Sequence, residues 1–248
     1  MPDYFFADVV ATSRLSPSMI RVEFGGDDLH RFRSSGRPDE WVRLLFPESR
    51  GGVVTLPACA DGKWQRPAGP TRPYTVRKWH DGSSRLIVDF VAHEGGVAAE
   101  WALAASIGDR LGLTNAEGRF QLPEKTEWIL LFADFTGLPA VGRILEELPA
   151  GYRVTAHVEV PHCSDRQVLH SAAELDLNWH ESYGHGDRPT RLLDIARAVT
   201  LPDGPGYIWI AGEVTAASEA RKHFRDDLGF DKERLTSVGY WIEGQARG

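Results

Sequence analysis

Arg72-Pro73-Tyr74-Thr75-Val76-Arg77 is the stretch on which the reading of this chain turns. It has the β-branched and aromatic content of a strand, and residues two apart on a strand share a face. Arg72 and Tyr74 therefore lie side by side. A guanidinium fork grips phosphate oxygens bidentately. The neighbouring tyrosine offers a flat apolar face with a hydroxyl at its edge. Thr75 adds a small hydroxyl or a backbone amide, and Arg77 a second cation. A flavin nucleotide poses the matching problems: a dianionic phosphate group, a large flat ring and a ring nitrogen that needs a partner. Taken alone, the hexapeptide reads equally well as a surface strand with two solvated arginines.

The stretches around it narrow the choice. His93 precedes Gly95-Gly96, which open the Ala-rich run holding Ala98 and Ala99. Glycines let a backbone approach phosphate closely, and a helix N-terminus supplies unpaired amides and a positive dipole end. Asp134-Phe135-Thr136-Gly137-Leu138-Pro139-Ala140 joins a strand to a helix. Thr136 there is either a hydroxyl for a pyridine nucleotide or an N-cap, with Pro139 tolerated in the first turn. Trp209-Ile210-Ala211-Gly212-Glu213 ends another strand. Glu213 reads as a hydrogen-bond partner for ribose or adenine, or as a helix-start charge favoured by the dipole. Gly239-Tyr240-Trp241 closes the series.

Two halves differ in pattern. Up to about Leu122, short strand-like runs alternate with Gly, Pro and Asp turns: Tyr4–Thr12, Met19–Phe24, Trp41–Phe46, Tyr74–Trp79, Leu86–Ala92 and Arg110–Thr114. That spacing predicts an antiparallel β-barrel, with one helix at Val97–Ala105. Beyond Pro123 the pattern is strand Trp128–Ala133, helix Leu138–Leu148, strand Tyr152–Val160, helix Leu192–Val199, strand Gly206–Ala211, helix Ala216–Leu228 and strand Ser237–Ile242. Strands alternating with helices predict a doubly wound parallel sheet. The boundary is placed at Leu122–Lys125, giving domains 1–123 and 124–248.

Composition excludes several classes. A net charge of -7 argues against general nucleic-acid binding. No apolar run approaches the roughly 20 residues of a membrane span, and the start carries no secretion signal, so a cytoplasmic protein is expected. Cys59 and Cys163 are the only cysteines, too few for a cysteine-ligated iron–sulfur cluster or a disulfide framework. His157, His162, His170, His180 and His185 lack a tight ligand spacing, so no metal site is expected. Neither a Gly-x-Ser-x-Gly elbow nor a GxGxxG fingerprint occurs.

In their order, from about Tyr4 to Gly244, these motifs resemble those of the siderophore-interacting proteins, FAD-dependent ferric-siderophore reductases of ferredoxin-reductase-like build. The resemblance implies an FAD-binding barrel followed by an NAD(P)H-binding-like α/β domain. It implies that the cofactors, FAD and the nicotinamide nucleotide, are held by Arg72, Tyr74, Thr75, Arg77, His93, Gly95, Gly96, Ala98, Ala99, Thr136, Glu213, Tyr240 and Trp241. NADH or NADPH would be the donor, a ferric siderophore the acceptor and released Fe(II) the product. No catalytic acid, base or nucleophile is implied. Two other classes stay open: an NAD(P)H:flavin oxidoreductase with another acceptor, and a flavin- and siderophore-binding module reduced by ferredoxin. The chain departs from the family pattern in places. Ala99 stands for a serine, Val97 for a proline, and Phe135 for a glutamate, which puts nicotinamide binding in question. At the substrate face Arg43 keeps a cation, whereas Glu117 and Glu243 stand where relatives carry cations. Those glutamates predict a preference for hydroxamate siderophores.

Overall fold

The computed structural model describes residues 4–49, 51–60, 63–181 and 190–244. The chain divides into two compact units, the first ending at Gly118 and the second starting at Arg119. The division falls slightly before the stretch read as the boundary in the sequence. Phe120 already belongs to the second unit, its ring edge-on to Tyr207 at 5.1 Å.

The first unit holds β1 (Tyr4–Ser16), β2 (Met19–Gly25), β3 (Trp41–Leu45), the short pair β4 (Cys59–Ala60) and β5 (Lys63–Trp64), β6 (Thr71–Thr75), β7 (Lys78–His80), β8 (Arg85–Val91), helix α1 (Val97–Ala104) and β9 (Arg110–Thr114). Seven of the strands form one antiparallel sheet in the order β6-β3-β9-β1-β2-β8-β7. β6 and β7 stand at opposite ends of that order, yet only Val76 and Arg77 separate them in the chain. The sheet must therefore curl until its ends meet. Val76 N–H donates to Glu40 O at 2.9 Å and Arg77 N–H to Ile87 O at 2.8 Å across the join. This corrects the expectation of one strand over Tyr74–Trp79: the barrel turns its corner in the middle of it.

Alternation along β1 puts Phe5, Ala7 and Val9 inside the barrel. The core is aromatic beneath β6 and α1. Trp101 of α1 stacks on Phe24 (6.1 Å, 11° between planes) and tilts against Phe90 at 6.0 Å. Tyr74 of β6 also packs on Phe90, at 4.4 Å. One ring, Phe90, thus carries both the strand and the helix that the sequence singled out.

The second unit holds β10 (Trp128–Ala133), α2 (Leu138–Glu147), β11 (Arg153–Val160), β12 (Glu174–Glu181), α3 (Leu192–Ala198), β13 (Gly206–Glu213), α4 (Val214–Lys222) and β14 (Leu235–Trp241). Its sheet is wholly parallel, in the order β12-β11-β10-β13-β14. Trp128, Leu130, Phe132, Ile208 and Ile210 share one buried face with the apolar sides of α3 and α4. The alternate residues Ile129, Leu131 and Ala133 are equally buried on the other face, so β10 reads as a continuous apolar run. Strand order reverses direction between β10 and β13, the switch point where such sheets bind ligands at their carboxyl ends.

Strand β12 is absent from the sequence expectation. It is an edge strand, and none of its residues is fully buried, so it lacks the apolar run that marks its neighbours. Helix α4 starts at Val214, before the expected Ala216, and passes into a π-helical turn at His223–Asp227. No described helix is long and apolar enough to cross a membrane, and no metal-holding group of three or more His, Cys, Asp or Glu occurs among the described residues. His185 lies outside them.

Candidate functional site

In the first unit the site is built on β6 and the start of α1. Arg72 is half-buried, and its Nη1 donates to Thr71 O at 2.8 Å. No carboxylate pairs with its guanidinium among the described residues. Tyr74 is half-buried against Phe90. Burial pushes its phenol pKa up, with the Arg72 cation pulling the other way. The hydroxyl is therefore a neutral hydrogen-bonding group at any physiological pH. At the start of α1 the backbone of Gly95 takes φ +83°, and a Cβ on Gly96 would lie 2.6 Å from Cε1 of the His93 ring. His93, itself tied by Nδ1 to Glu94 O at 2.9 Å, thus lies over a glycine that no larger residue replaces without a shift. No side chain caps α1. Ala98 and Ala99 are buried, so this end offers backbone amides and the dipole rather than side chains.

Arg77, the last member of the hexapeptide, turns inward. Arg77 is buried, and its Nε lies 3.9 Å from Asp89 Oδ2. Asp89 is also gripped by Arg21, Nε to Oδ1 at 2.7 Å and Nη2 to Oδ2 at 2.8 Å. A carboxylate taken out of water needs such partners, and Arg77 serves it at the barrel join. Its charge is turned to the protein, not to a pyrophosphate. Thr75 is buried on the strand face opposite Tyr74 and paired in register with Trp41.

In the second unit the carboxyl ends of β10, β13 and β14 meet on one side chain. Asp134 is buried and accepts four hydrogen bonds: from Thr136 N–H (2.9 Å) and Thr136 Oγ1 (2.6 Å) at Oδ1, and from Glu213 N–H (2.8 Å) and Trp241 Nε1 (2.7 Å) at Oδ2. Burial pushes its pKa up, and the four donors oppose that. The packing is tight: a Cβ on Gly212 would lie 2.6 Å from Asp134 Oδ2. Thr136 is therefore not the cap of this turn. Asp134 is, and the Thr136 hydroxyl keeps its lone pairs at a half-buried position.

Glu213 is corrected likewise. It is buried, and Oε2 caps α4 by accepting from Ala216 N–H at 2.8 Å. Its other oxygen, Oε1, accepts from Glu243 N–H at 3.4 Å, so both carboxylate oxygens have partners within the protein. Phe135 is buried too, so the family's glutamate has been exchanged for interior packing rather than for an obstruction at the surface. Tyr240 and Trp241 are half-buried at the end of β14.

Of the residues read as substrate-facing, Arg43 and Glu117 are exposed in the first unit and Glu243 in the second. Arg43 sits on β3 opposite Pro73 of β6, and its charge pulls down the pKa of Tyr4, which burial pushes up. The backbone of Glu117 bridges Trp41, two residues before Arg43, in both directions at 2.7 and 2.9 Å.

A closed antiparallel barrel with an Arg-x-Tyr strand, followed by a parallel sheet with its switch point capped by buried carboxylates, has the two-domain fold of ferredoxin reductases. The chain belongs to the siderophore-interacting protein family. Residues 8–120 match its siderophore-interacting FAD-binding domain and residues 126–244 the siderophore-interacting protein domain. A siderophore utilization protein from T. fusca shares 31% identity, with a TM-score of 0.87 over 98% of this chain and 94% of that one. The ferric vibriobactin reductase of Vibrio cholerae is 27% identical over 96% of this chain and 89% of its own length. The NADPH-dependent ferric-chelate reductase of Escherichia coli is 28% identical over 94% of this chain and 91% of its own.

FAD fits the residues of the first unit. An arginine with no acidic partner among the described residues, a tyrosine ring with a neutral hydroxyl, and an uncapped helix start behind two glycines match its pyrophosphate and ring.

Proposed function

We propose that this protein is an FAD-dependent ferric-siderophore reductase that draws electrons from NAD(P)H and releases Fe(II) in the cytoplasm. The observation that carries the reading is the Tyr74–Phe90–Trp101 chain of rings, which holds the Arg72 strand and the open end of α1 against one support. The family match over both halves of the chain supports it, as do the ferric-reductase activities of the Vibrio and Escherichia relatives.

FAD held here would supply the redox chemistry, two-electron acceptance from a nicotinamide and one-electron delivery to iron. One NAD(P)H therefore reduces two ferric chelates, with one proton released. The protein's own task is to bind and orient. Arg72 and the amides of α1 would hold phosphate, Tyr74 would pack against the ring system, and His93 would stand beside it. At the carboxyl edge of the second sheet, Thr136, Tyr240 and Trp241 face the nicotinamide nucleotide, with Asp134 fixing two of the three. Phe135, where the family pattern has a glutamate, is buried and places no obstruction at that edge.

On the acceptor side, exposed Glu117 and Glu243 oppose a triply anionic ferric catecholate, and a neutral or cationic ferric hydroxamate escapes that repulsion. Arg43 supplies the remaining cation. The function is tested by anaerobic titration of the FAD-loaded protein with NADH and NADPH, followed by a ferric siderophore and a ferrous chelator. Flavin bleaching by either nucleotide, then two ferrous ions trapped per nucleotide consumed, is expected. A flavin that nicotinamides leave oxidised would reject the donor assignment, and a reduced flavin inert to ferric siderophores would reject the acceptor.

A further inference from the structure

Glu40 is fully buried, immediately before β3. Its Oε2 takes three hydrogen bonds from two consecutive serines: from Ser34 Oγ at 2.8 Å, from Ser35 N–H at 2.6 Å and from Ser35 Oγ at 2.8 Å. Each serine oxygen also accepts from the amide two residues on, Ser34 from Gly36 at 3.1 Å and Ser35 from Arg37 at 3.3 Å. Glu40 N–H closes the loop on Arg37 O at 3.1 Å. A carboxylate taken out of water requires such donors. The exposed residues 34–36 are therefore wound on a fixed internal charge, and the loop delivers Arg37 to one place.

That place is the turn at 116–118. Ala116 N–H donates to Arg33 O at 3.1 Å, and Arg33 N–H to Asn115 Oδ1 at 2.8 Å. A Cβ on Gly118 would lie 2.4 Å from Cβ and 2.9 Å from Cγ of Arg37. The stem of Arg37 thus lies against Gly118, the residue after Glu117, and only a bare backbone leaves room for it. Gly118 is not among the glycines with positive φ, so the demand is for space and not for conformation. Glu117 is held to Trp41, two residues before Arg43, by the paired backbone bonds already described. An arginine from one loop and a glutamate from another therefore arrive at the same turn, beside the strand that carries Arg43. Arg37 is half-buried there, so water screens its charge less than it screens that of a fully exposed residue.

We propose that Arg37 is a specificity-determining residue of the acceptor face: it brings a cation, from a different loop, to the turn where Glu117 stands in place of the relatives' cation, and Glu40 is the residue that positions it. The inference rests on the reading of Glu117 as substrate-facing. Arg43 is the cation left at the three positions singled out in the sequence, and Arg37 is a further one outside them. A guanidinium at this turn attracts an anionic ferric chelate and offsets part of the repulsion from Glu117. The bias towards hydroxamates is then smaller than Glu117 and Glu243 alone would make it.

The test uses FAD-loaded protein reduced anaerobically with one equivalent of dithionite, so that no nicotinamide is involved. It is mixed with a triply anionic ferric tris-catecholate or a neutral ferric trihydroxamate, and flavin reoxidation is followed against chelate concentration. Arg37→Ala should raise the half-saturating concentration of the catecholate relative to the hydroxamate by roughly three- to fivefold, as for one partly screened charge contact. The change should lie in that concentration and not in the limiting rate, and it should shrink as salt rises. Arg37→Lys should keep most of the parent ratio. Gly118→Ala, which displaces the Arg37 stem without removing a charge, should move the ratio in the same direction as Arg37→Ala, and so should Glu40→Gln by loosening the loop. Glu117→Arg added to Arg37→Ala should restore catecholate binding, because it returns a cation to the same turn. A ratio unmoved by Arg37→Ala, or a loss shared equally by both chelates, overturns the assignment, as does a failure of Glu117→Arg to restore it. If Glu117→Arg alone moves the ratio and Arg37→Ala does not, only Arg37 is excluded. If neither moves it, the reading of this turn as substrate-facing falls and Arg37 with it.

Discussion

The indole Nε1 of Trp241 donates to Oδ2 of Asp134 at 2.7 Å across 107 positions of sequence. The same carboxylate holds the Thr136 turn and the Glu213 backbone. It therefore fixes the ends of three strands and the entry to α2 with one charge. Such a buried acceptor is expensive to disturb, because each donor left without a partner keeps its full desolvation cost.

Asp134→Asn is nearly isosteric, yet its amide nitrogen must face either Trp241 and Glu213 or the Thr136 N–H, all of which donate. Either orientation sets donor against donor. The expected loss is about 1–3 kcal/mol of stability, measured by urea unfolding of the FAD-loaded protein. Trp241→Phe removes a single bond and should cost less. Equal stability of Asp134→Asn and the parent would mean that the knot does not hold the edge together.

Arg72 and Arg77 should respond to truncation in opposite ways. Arg72→Ala should weaken FAD binding by roughly 2–3 kcal/mol with little change in apoprotein stability, the loss being one charge-assisted phosphate contact. Arg77→Ala leaves Asp89 with Arg21 alone in a buried setting, so the apoprotein should lose about 1–3 kcal/mol. FAD titration and thermal unfolding of the two apoproteins separate the roles. A stable Arg77→Ala apoprotein with impaired FAD binding would return Arg77 to the phosphate. Tyr74→Ala should weaken FAD by about 0.5–1.5 kcal/mol beyond the area lost.

Those two arginines also show how far the sequence could be read. Strand alternation puts Arg72 beside Tyr74 correctly, because that pairing is local. It cannot show that the chain turns a barrel corner at Val76, which sends Arg77 inward to a carboxylate brought by β8. Asp89 and Arg21 lie 68 positions apart, and no spacing rule links them. β10 was legible because both its faces are buried, and β12 was not because neither is. Glu213 could be read as a ligand or a cap, and only the start of α4 at Val214 decides for the cap. Thr136 looked like a cap for the same kind of reason. The preceding Asp134 is the stronger N-cap acceptor, and the knot it ties depends on a tryptophan at the far end of the chain.

The His157–His180 pair gives the protein an acid-sensitive edge. Nδ1 of His157 and Nε2 of His180 are 3.1 Å apart, and the His157 ring stacks on Phe132 at 5.2 Å. Burial, then the neighbouring His180, lower the His157 pKa to about 4, with Asp176 pulling it up. The unfolded chain takes up that proton near the ordinary value of 6.5. Between those values the unfolded state binds more protons, so this contribution to stability is whole above pH 6.5 and fades as the pH falls towards 4. Discounted for partial exposure, it amounts to about 1–2 kcal/mol. His157→Phe keeps the stack and removes the titration, so its stability should vary less over that range in urea melts. Parallel curves for the two proteins would place the acid sensitivity elsewhere.

Substrate charge provides the last test. Glu117 and Glu243 are exposed, and each repels a triply anionic ferric catecholate in proportion to how little water screens it. Turnover should therefore favour a ferric hydroxamate. Glu117→Arg and Glu243→Arg each should move the ratio towards the catecholate, more strongly together, and the shift should shrink as salt rises. Arg43→Ala should move it the other way, since it removes an attraction for an anion. These substitutions lie outside the Arg72–Tyr74 strand, so flavin content and reduction by NAD(P)H should stay constant, which ties any change to the acceptor. The measurement is Fe(II) trapped from each siderophore type at low and high salt. Catecholate turnover equal to or faster than hydroxamate turnover by the unmodified protein would refute the preference. A ratio unmoved by either reversal would place both glutamates away from the bound siderophore.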